Sequence, residues 1–389
     1  MHLANRSTTL TPSLTLAIDA KAKKMKADGI DVCGFGAGEP DFDTPQYIKD
    51  AAIKALQDGF TKYTPSSGTP ELRAAIAEKL KNDNGLDYKP SQVIVNCGAK
   101  HSCYNVIIAT CQEGDEVIIP SPFWLSYPEM VKLAGATPVI VPTSETNGFK
   151  ITPDQFRDAM TPATKLIILN SPGNPTGTVY SRAELQALAE VALEEDILIL
   201  SDEIYEKITY DNTEFVSIAS LGKEIYDITI TVNGFSKAYS MTGWRLGYVA
   251  APEPIATAID SIQSHSTSNP TSFAQKGALA GLKGDQSFIG EMVKAFAERR
   301  AYMFDRLTKI PGVSCVKPMG AFYMLPNIGK FGLGSTNFCS KLLEEQKVAA
   351  VPGIAFGSDA HMRLSYASSM ENITKGLDRI EAFCASLTK

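Results

Sequence analysis

Apolar positions fall into two periodicities along this chain. From residue 91 onward, short apolar runs alternate with stretches of helical spacing. The runs at 93–95, 116–119, 138–141, 166–169, 197–200, 228–232 and 246–249 are rich in Val, Ile and Leu and predict strands. Helical patterns near 97–112, 125–134, 153–160, 182–195 and 253–264 separate several of them. Near-continuous apolar strands alternating with helices predict an α/β fold: a mostly parallel seven-stranded sheet with helices on both faces. Upstream, residues 1–13 are polar and read as an arm. Residues 14–28 carry a helical pattern closed by Gly29, with Ser13 as a candidate cap. A further helix is predicted at 70–82, stopping near Gly85. After residue 285 the character changes. A long helical stretch at 285–308 leads to strand candidates at 313–316, 322–325, 348–351 and 362–366, with helices at 336–346 and 371–387. This predicts a smaller α+β domain of residues 14–45 and 285–389 beside a large domain of residues 46–284.

Length supports the division, because 389 residues exceed one typical core. Hydrophobic content of 44% and charged content of 21% are those of an ordinary globular protein. A net charge of −6 argues against a partner held through nucleic-acid phosphates. No apolar run reaches the roughly 18 residues of a membrane helix. Met1–Arg6 lacks the apolar core of a signal peptide. Seven cysteines, an odd number with no Cys-x-x-Cys pair, read as reduced thiols, and a cytoplasmic location is expected. The four histidines have no metal-ligand spacing, so no metal site is expected.

The candidate chemistry centres on Asn233 to Tyr248, where Gly234-Phe-Ser-Lys237 follows a buried strand. A lysine at a strand's C-terminal end sits at the rim where α/β sheets bind ligands. Desolvated there, it can lose its proton and attack a carbonyl to form a Schiff base. A surface lysine after a strand would look the same locally. Ser236 and Arg245 supply a hydroxyl and a planar fork suited to phosphate. Gly98-Ala99-Lys100 opens a helix, leaving the N–H groups of Ala99 and Lys100 free for phosphate oxygens. Asn174 stands among turn residues, and Asp202 ends an apolar strand where it could be a cap or an ion-pair partner. Trp124 follows a Ser-Pro turn at a strand end. It is either a core aromatic or a plane for stacking. Arg363 lies inside an apolar strand, costly unless it is paired. Gly36–Pro45 is a linking loop or a backbone that approaches a ligand, and Thr44-Pro45 reads as an N-cap with proline at the first helical position.

Gly234 to Lys237, followed by Gly243, Arg245 and Gly247, resembles the lysine signature of class I aminotransferases. The spacing Asn174, Asp202, Tyr205, Lys237, Arg245 also fits, and the resemblance runs from about residue 10 to the C-terminus. It points to the bacterial and plastid-type subgroup of the aspartate aminotransferase family, enzymes that use pyridoxal 5′-phosphate. The resemblance implies that Lys237 carries the cofactor and then acts as the general base. It implies Asp202 at the pyridine nitrogen, Asn174 and Tyr205 at the 3′-oxygen, and Trp124 against the ring. Ala99, Lys100, Ser236 and Arg245 would hold the phosphate, joined by Tyr63 of a second subunit. Arg363 and the Gly38 N–H would take the substrate α-carboxylate. Thr15 and Lys100, with the 264–268 loop of a neighbour, would face the distal one. The implied reaction is ping-pong transfer between aspartate and 2-oxoglutarate, in a homodimer with shared sites, with small amino and 2-oxo acids as partners. Many members of this subgroup with prephenate activity carry lysine where this chain has Thr11. Other expectations on this scaffold are an aromatic or alanine aminotransferase, or a lyase. A non-catalytic regulator would add a DNA-binding segment, and only about a dozen residues precede the resemblance.

Overall fold

A computed structural model describes residues 3–12 and 14–387. Seven strands form the main sheet: β1 (Val93–Asn96), β2 (Glu116–Ser121), β3 (Thr137–Pro142), β4 (Thr164–Asn170), β5 (Leu198–Asp202), β6 (Thr229–Gly234) and β7 (Gly247–Ala250). Their order is β1-β7-β6-β5-β4-β2-β3. Only β7 runs antiparallel to its neighbours, as a direct return from β6 requires.

Alternate residues of the central strands feed opposite cores, which is why their sequences are mostly apolar. Ile168, Leu200 and Ile230 pack with Val106 and Ile107 of the helix Ala99–Thr110. Ile167 and Ile199 pack with Leu185 and Leu188 of the helix Arg182–Glu194. The second helix starts on a capping box in which Ser181 and Glu184 satisfy each other's backbone N–H. Val93, Val95 and Tyr248 meet the helices Gln46–Gln57, Pro70–Asn84 and Ser272–Lys283.

A separate core collects Phe296, Phe322, Phe338, Leu364 and Phe383, with Ile204 and Tyr205 from the segment after β5. Two small sheets accompany it. Cys33–Gly34 pairs with Val348–Ala349, and Met362–Ser365 lies between Val351–Pro352 and Tyr323–Met324.

Several expectations change. The run 313–316 is not a strand. Only Ser314 makes an isolated bridge, to Asn327. The candidate 348–351 splits at Ala350 into two strands serving different sheets. Ser272–Lys283 is a helix that the apolar pattern did not announce, and the long helix begins after it, at Ser287. Thr44 does not cap the helix at Gln46, since its hydroxyl donates to Ser240 O and accepts from Trp244 Nε1. The candidate cap Ser13 lies outside the described residues.

Candidate active site

Strand register aligns the chemistry. Asn170, Asp202 and Val232 are cross-strand neighbours on β4, β5 and β6. The chain beyond each therefore opens onto one rim, where Asn174, Tyr205, Ser236 and Lys237 follow. Arg245 reaches the same rim from the opposite direction, because it precedes the antiparallel β7.

Lys237 is the nucleophile candidate. Its Nζ donates to the Gly38 carbonyl and lies 5.7 Å from the Tyr205 ring and 5.8 Å from the Phe322 ring. Burial lowers its proton affinity, which Glu39 partly offsets and Arg363 and Arg245 reinforce, leaving the pKa at about 8. A free amine is thus populated near neutral pH.

Asp202 is buried. Its Oδ2 accepts from the Tyr127 hydroxyl at 2.6 Å and the Cys103 thiol at 3.8 Å, while Oδ1 accepts from the Ile204 N–H at 3.2 Å. Burial pushes its carboxyl up, and those donors together with the Lys237 charge pull it down. Tyr127 and Cys103 are site residues that sequence reasoning missed. Each reads as one more apolar position of a helix facing the sheet.

Arg363 is 2% exposed and, among the described residues, has no carboxylate partner. Nη1 donates to Asn174 Oδ1 at 3.1 Å and Nη2 to Gly36 O at 2.8 Å, while Nε has no partner. The guanidinium lies 4.5 Å from the centre of the Tyr323 ring and 5.0 Å from that of Phe356. Burial lowers its proton affinity. A buried cation with an orphaned N–H is a receptor for an anion. The Tyr205 hydroxyl lies 2.8 Å from that of Tyr323, a third residue missed from sequence because it sits in the apolar run 322–325.

The helix Ala99–Thr110 starts at Gly98, with φ 93° and ψ 158°. A Cβ at Gly98 would stand 2.6 Å from Arg245 Nη2, and one at Gly247 would stand 2.3 Å from Ala99 N. Two bare backbones thus bring an exposed guanidinium against a helix N-terminus. Arg245 Nη1 donates to Thr242 O at 2.8 Å, and among the described residues no carboxylate neutralises it. Ser236 is buried on the same rim. This donor set fits a phosphate. Trp124 is half-buried, edge-on to Tyr127 with ring centres 5.2 Å apart, and Lys100 Nζ stands 4.9 Å over its ring. Burial first, and Arg245 second, lower the Lys100 proton affinity. An aromatic plane, a buried carboxylate, a phosphate cradle and a partly deprotonated amine fit pyridoxal 5′-phosphate. Tyr63 stands apart, 89% exposed. The Thr15 side chain lies outside the described residues, although its backbone begins the helix Leu14–Ala27.

Comparison with known proteins bears on this site. The profile of aminotransferase class I and II matches residues 30–380. An aspartate aminotransferase of Geobacillus stearothermophilus is 53% identical over 388 residues, covering 98% of this chain and 99% of its own. An aspartate/prephenate aminotransferase of Cereibacter sphaeroides is 49% identical, covering 97% of each. Among solved structures, an aspartate aminotransferase from Thermus thermophilus with maleate superposes with a TM-score of 0.95 at 42% identity, over 98% of this chain and 100% of that one.

Proposed function

The chain belongs to the class I and II aminotransferases, and from that premise we propose that it transfers the amino group of L-aspartate to 2-oxoglutarate, using pyridoxal 5′-phosphate. One observation carries the reading: the buried Arg363 guanidinium, without a carboxylate partner among the described residues, faces the rim that holds the Lys237 amine.

When bound, the cofactor supplies an electrophilic carbonyl carbon and a ring that draws electrons from the substrate Cα. Asp202 holds the ring-nitrogen proton. Asn174 and Tyr205 donate to the 3′-oxygen, and Trp124 covers the ring face. The N–H groups of Ala99 and Lys100, with Ser236 and Arg245, hold the phosphate, and Tyr63 of a second copy closes it. Arg363 and the Gly38 N–H hold the substrate α-carboxylate and so orient the Cα–H bond. The Lys237 amine would take the proton from the substrate Cα and serve as its carrier within the site. General acid–base catalysis of this kind is worth about 10²–10⁴-fold. Thr15 and Lys100 face the distal carboxylate. We read residues 46–284 as the large unit and residues 14–45 with 285–389 as the small one, in a cytoplasmic homodimer.

A panel of amino acids, scored by the change in cofactor absorption, tests this. Aspartate and glutamate should convert fastest, and Lys237→Ala should convert nothing. Arg363→Lys keeps the charge but loses the fork, so aspartate and alanine should both weaken. Lys100→Met should cost mainly the dicarboxylates, by about 10- to 100-fold in kcat/KM. Equal losses for alanine and aspartate in Lys100→Met would remove Lys100 from the specificity site. Prephenate belongs in the panel because of relatives named for it, and with Thr11 in place of lysine it should be a poor acceptor.

A further inference from the structure

The Tyr323 hydroxyl is buried in the site and has no role in the mechanism above. Tyr323 is fully buried, and its Oη has a single hydrogen-bond partner among the described residues, Tyr205 Oη at 2.8 Å. A Cβ at Gly38 would stand 3.5 Å from that oxygen, so the Gly36–Pro45 loop roofs it without supplying an acceptor.

Each phenol owns one proton, and a hydroxyl pair can share only one of the two. If Tyr205 donated to Tyr323, nothing would be left for a ligand. The alternative order leaves the Tyr205 proton free to point into the site. The surroundings choose between them. The Tyr323 ring lies under the Arg363 guanidinium, 4.5 Å from its centre, on a strand paired with Leu364–Ser365 beside that arginine. Burial pushes both phenols up. The Arg363 charge opposes this in both, and among the described residues its guanidinium lies against the Tyr323 ring and not against that of Tyr205. Tyr323 is therefore the stronger acid and the better donor of the pair.

We infer that Tyr323 is a positioning residue for Tyr205: its hydroxyl donates to the Tyr205 oxygen and so commits the single Tyr205 proton to the 3′-oxygen of the bound cofactor. This rests on the assignment of Tyr205 to that oxygen. Tyr323 thus links the two halves of the site: its ring lies against the Arg363 guanidinium and its hydroxyl meets Tyr205, on the same small sheet as Arg363.

The test uses two ligands that share phosphate, aldehyde and ring nitrogen: pyridoxal 5′-phosphate and its 3-deoxy analogue, which lacks the 3′-oxygen. Equilibrium binding to the apoprotein gives a preference ratio for wild type, Tyr205→Phe and Tyr323→Phe. Tyr323→Phe should cut the ratio by about threefold to tenfold, the net worth of one hydrogen bond, and leave affinity for the 3-deoxy analogue within about twofold of wild type. Phenylalanine keeps the ring beneath Arg363, so only the hydroxyl is removed. Tyr323→Leu removes the ring as well and should further weaken the holoenzyme's hold on amino acids through Arg363. A second readout is the visible absorption of the bound cofactor against pH, whose midpoint should rise in Tyr323→Phe. Equal losses for both ligands, with an unmoved midpoint, would make Tyr323 a packing residue and overturn the inference. A Tyr205→Phe variant that keeps the wild-type ratio would instead remove Tyr205 from the 3′-oxygen, and the relay with it.

Discussion

Two cationic side chains at this site sit where burial makes their charge costly. Among the described residues, Arg363 is met by carbonyl oxygens and aromatic faces and by no carboxylate. Lys237 gives up its proton easily, with its pKa at about 8 against an ordinary 10.5. The sign of the resulting stability change follows. Between about 8 and 10.5 the unfolded chain keeps the lysine proton that the folded chain has released, so stability rises with pH. Below about 8 both states carry the proton and the burial cost is felt in full. In the apoprotein, Lys237→Met should therefore be more stable than wild type near pH 7, and the gap should narrow by about pH 9.5. Urea unfolding at the two pH values measures this. A gap that stays constant would mean that the methionine packs better for reasons unrelated to charge. Lys237 was legible in the sequence because a strand, a serine and an arginine stand at fixed spacing around it. Tyr323, Tyr127 and Cys103 were not legible. Their roles come from the partner each hydroxyl or thiol meets across the fold, and an apolar run does not show which of its members points a polar atom at the site.

At the level of elements, the site depends on where backbones approach one another. The helix Ala99–Thr110 must begin against β7, and Gly98 and Gly247 leave the room for it. Gly98 adopts a conformation almost confined to glycine, so Gly98→Ala should cost about 1–3 kcal/mol of stability. It should also displace Arg245 and weaken phosphate binding. Gly59 has φ 76°, but a Cβ there would meet nothing within 4 Å, so Gly59→Ala is the control. Both variants should lose stability, and only Gly98→Ala should lose affinity for pyridoxal 5′-phosphate. Wild-type affinity in Gly98→Ala would detach this turn from the phosphate site. The central strands of the main sheet were legible because both faces are buried and most positions are apolar. The helix Ser272–Lys283 was not. Gly277 and Gly281 interrupt its pattern, and they are needed there because a Cβ at 277 would stand 2.7 Å from Trp244 and one at 281 would stand 3.2 Å from Ile48. The run 313–316 misled for the opposite reason: its apolar residues fill a core as irregular chain, with one bridge in place of a ladder.

For the molecule as a whole, several large apolar side chains stay exposed, and one group of them falls close together in sequence. Ile53 and Leu56 are about half exposed on the helix Gln46–Gln57, and Tyr63 follows at 89% exposure. Among the described residues Tyr63 has no hydrogen bond and no ring contact. A tyrosine displayed in this way suits a symmetric interface in which each copy lends a residue to the other. The consequence is a complementation experiment. Lys237→Ala protein lacks the nucleophile but can still lend Tyr63. Protein carrying Tyr63→Phe keeps the nucleophile but lends no hydroxyl to its neighbour's phosphate. In a hybrid dimer the site with Lys237 receives an intact Tyr63, while the other site lacks both. Random pairing of equal amounts makes half the dimers hybrid, each with one good site of two. About a quarter of the wild-type activity per site should then derive from fully intact sites, added to the residue left by Tyr63→Phe homodimers. The effect should appear in KM for the cofactor as well as in kcat, because the hydroxyl acts on the phosphate. If mass spectrometry shows that subunits have exchanged and activity remains the average of the two parents, Tyr63 serves its own subunit or none, and the shared-site reading fails.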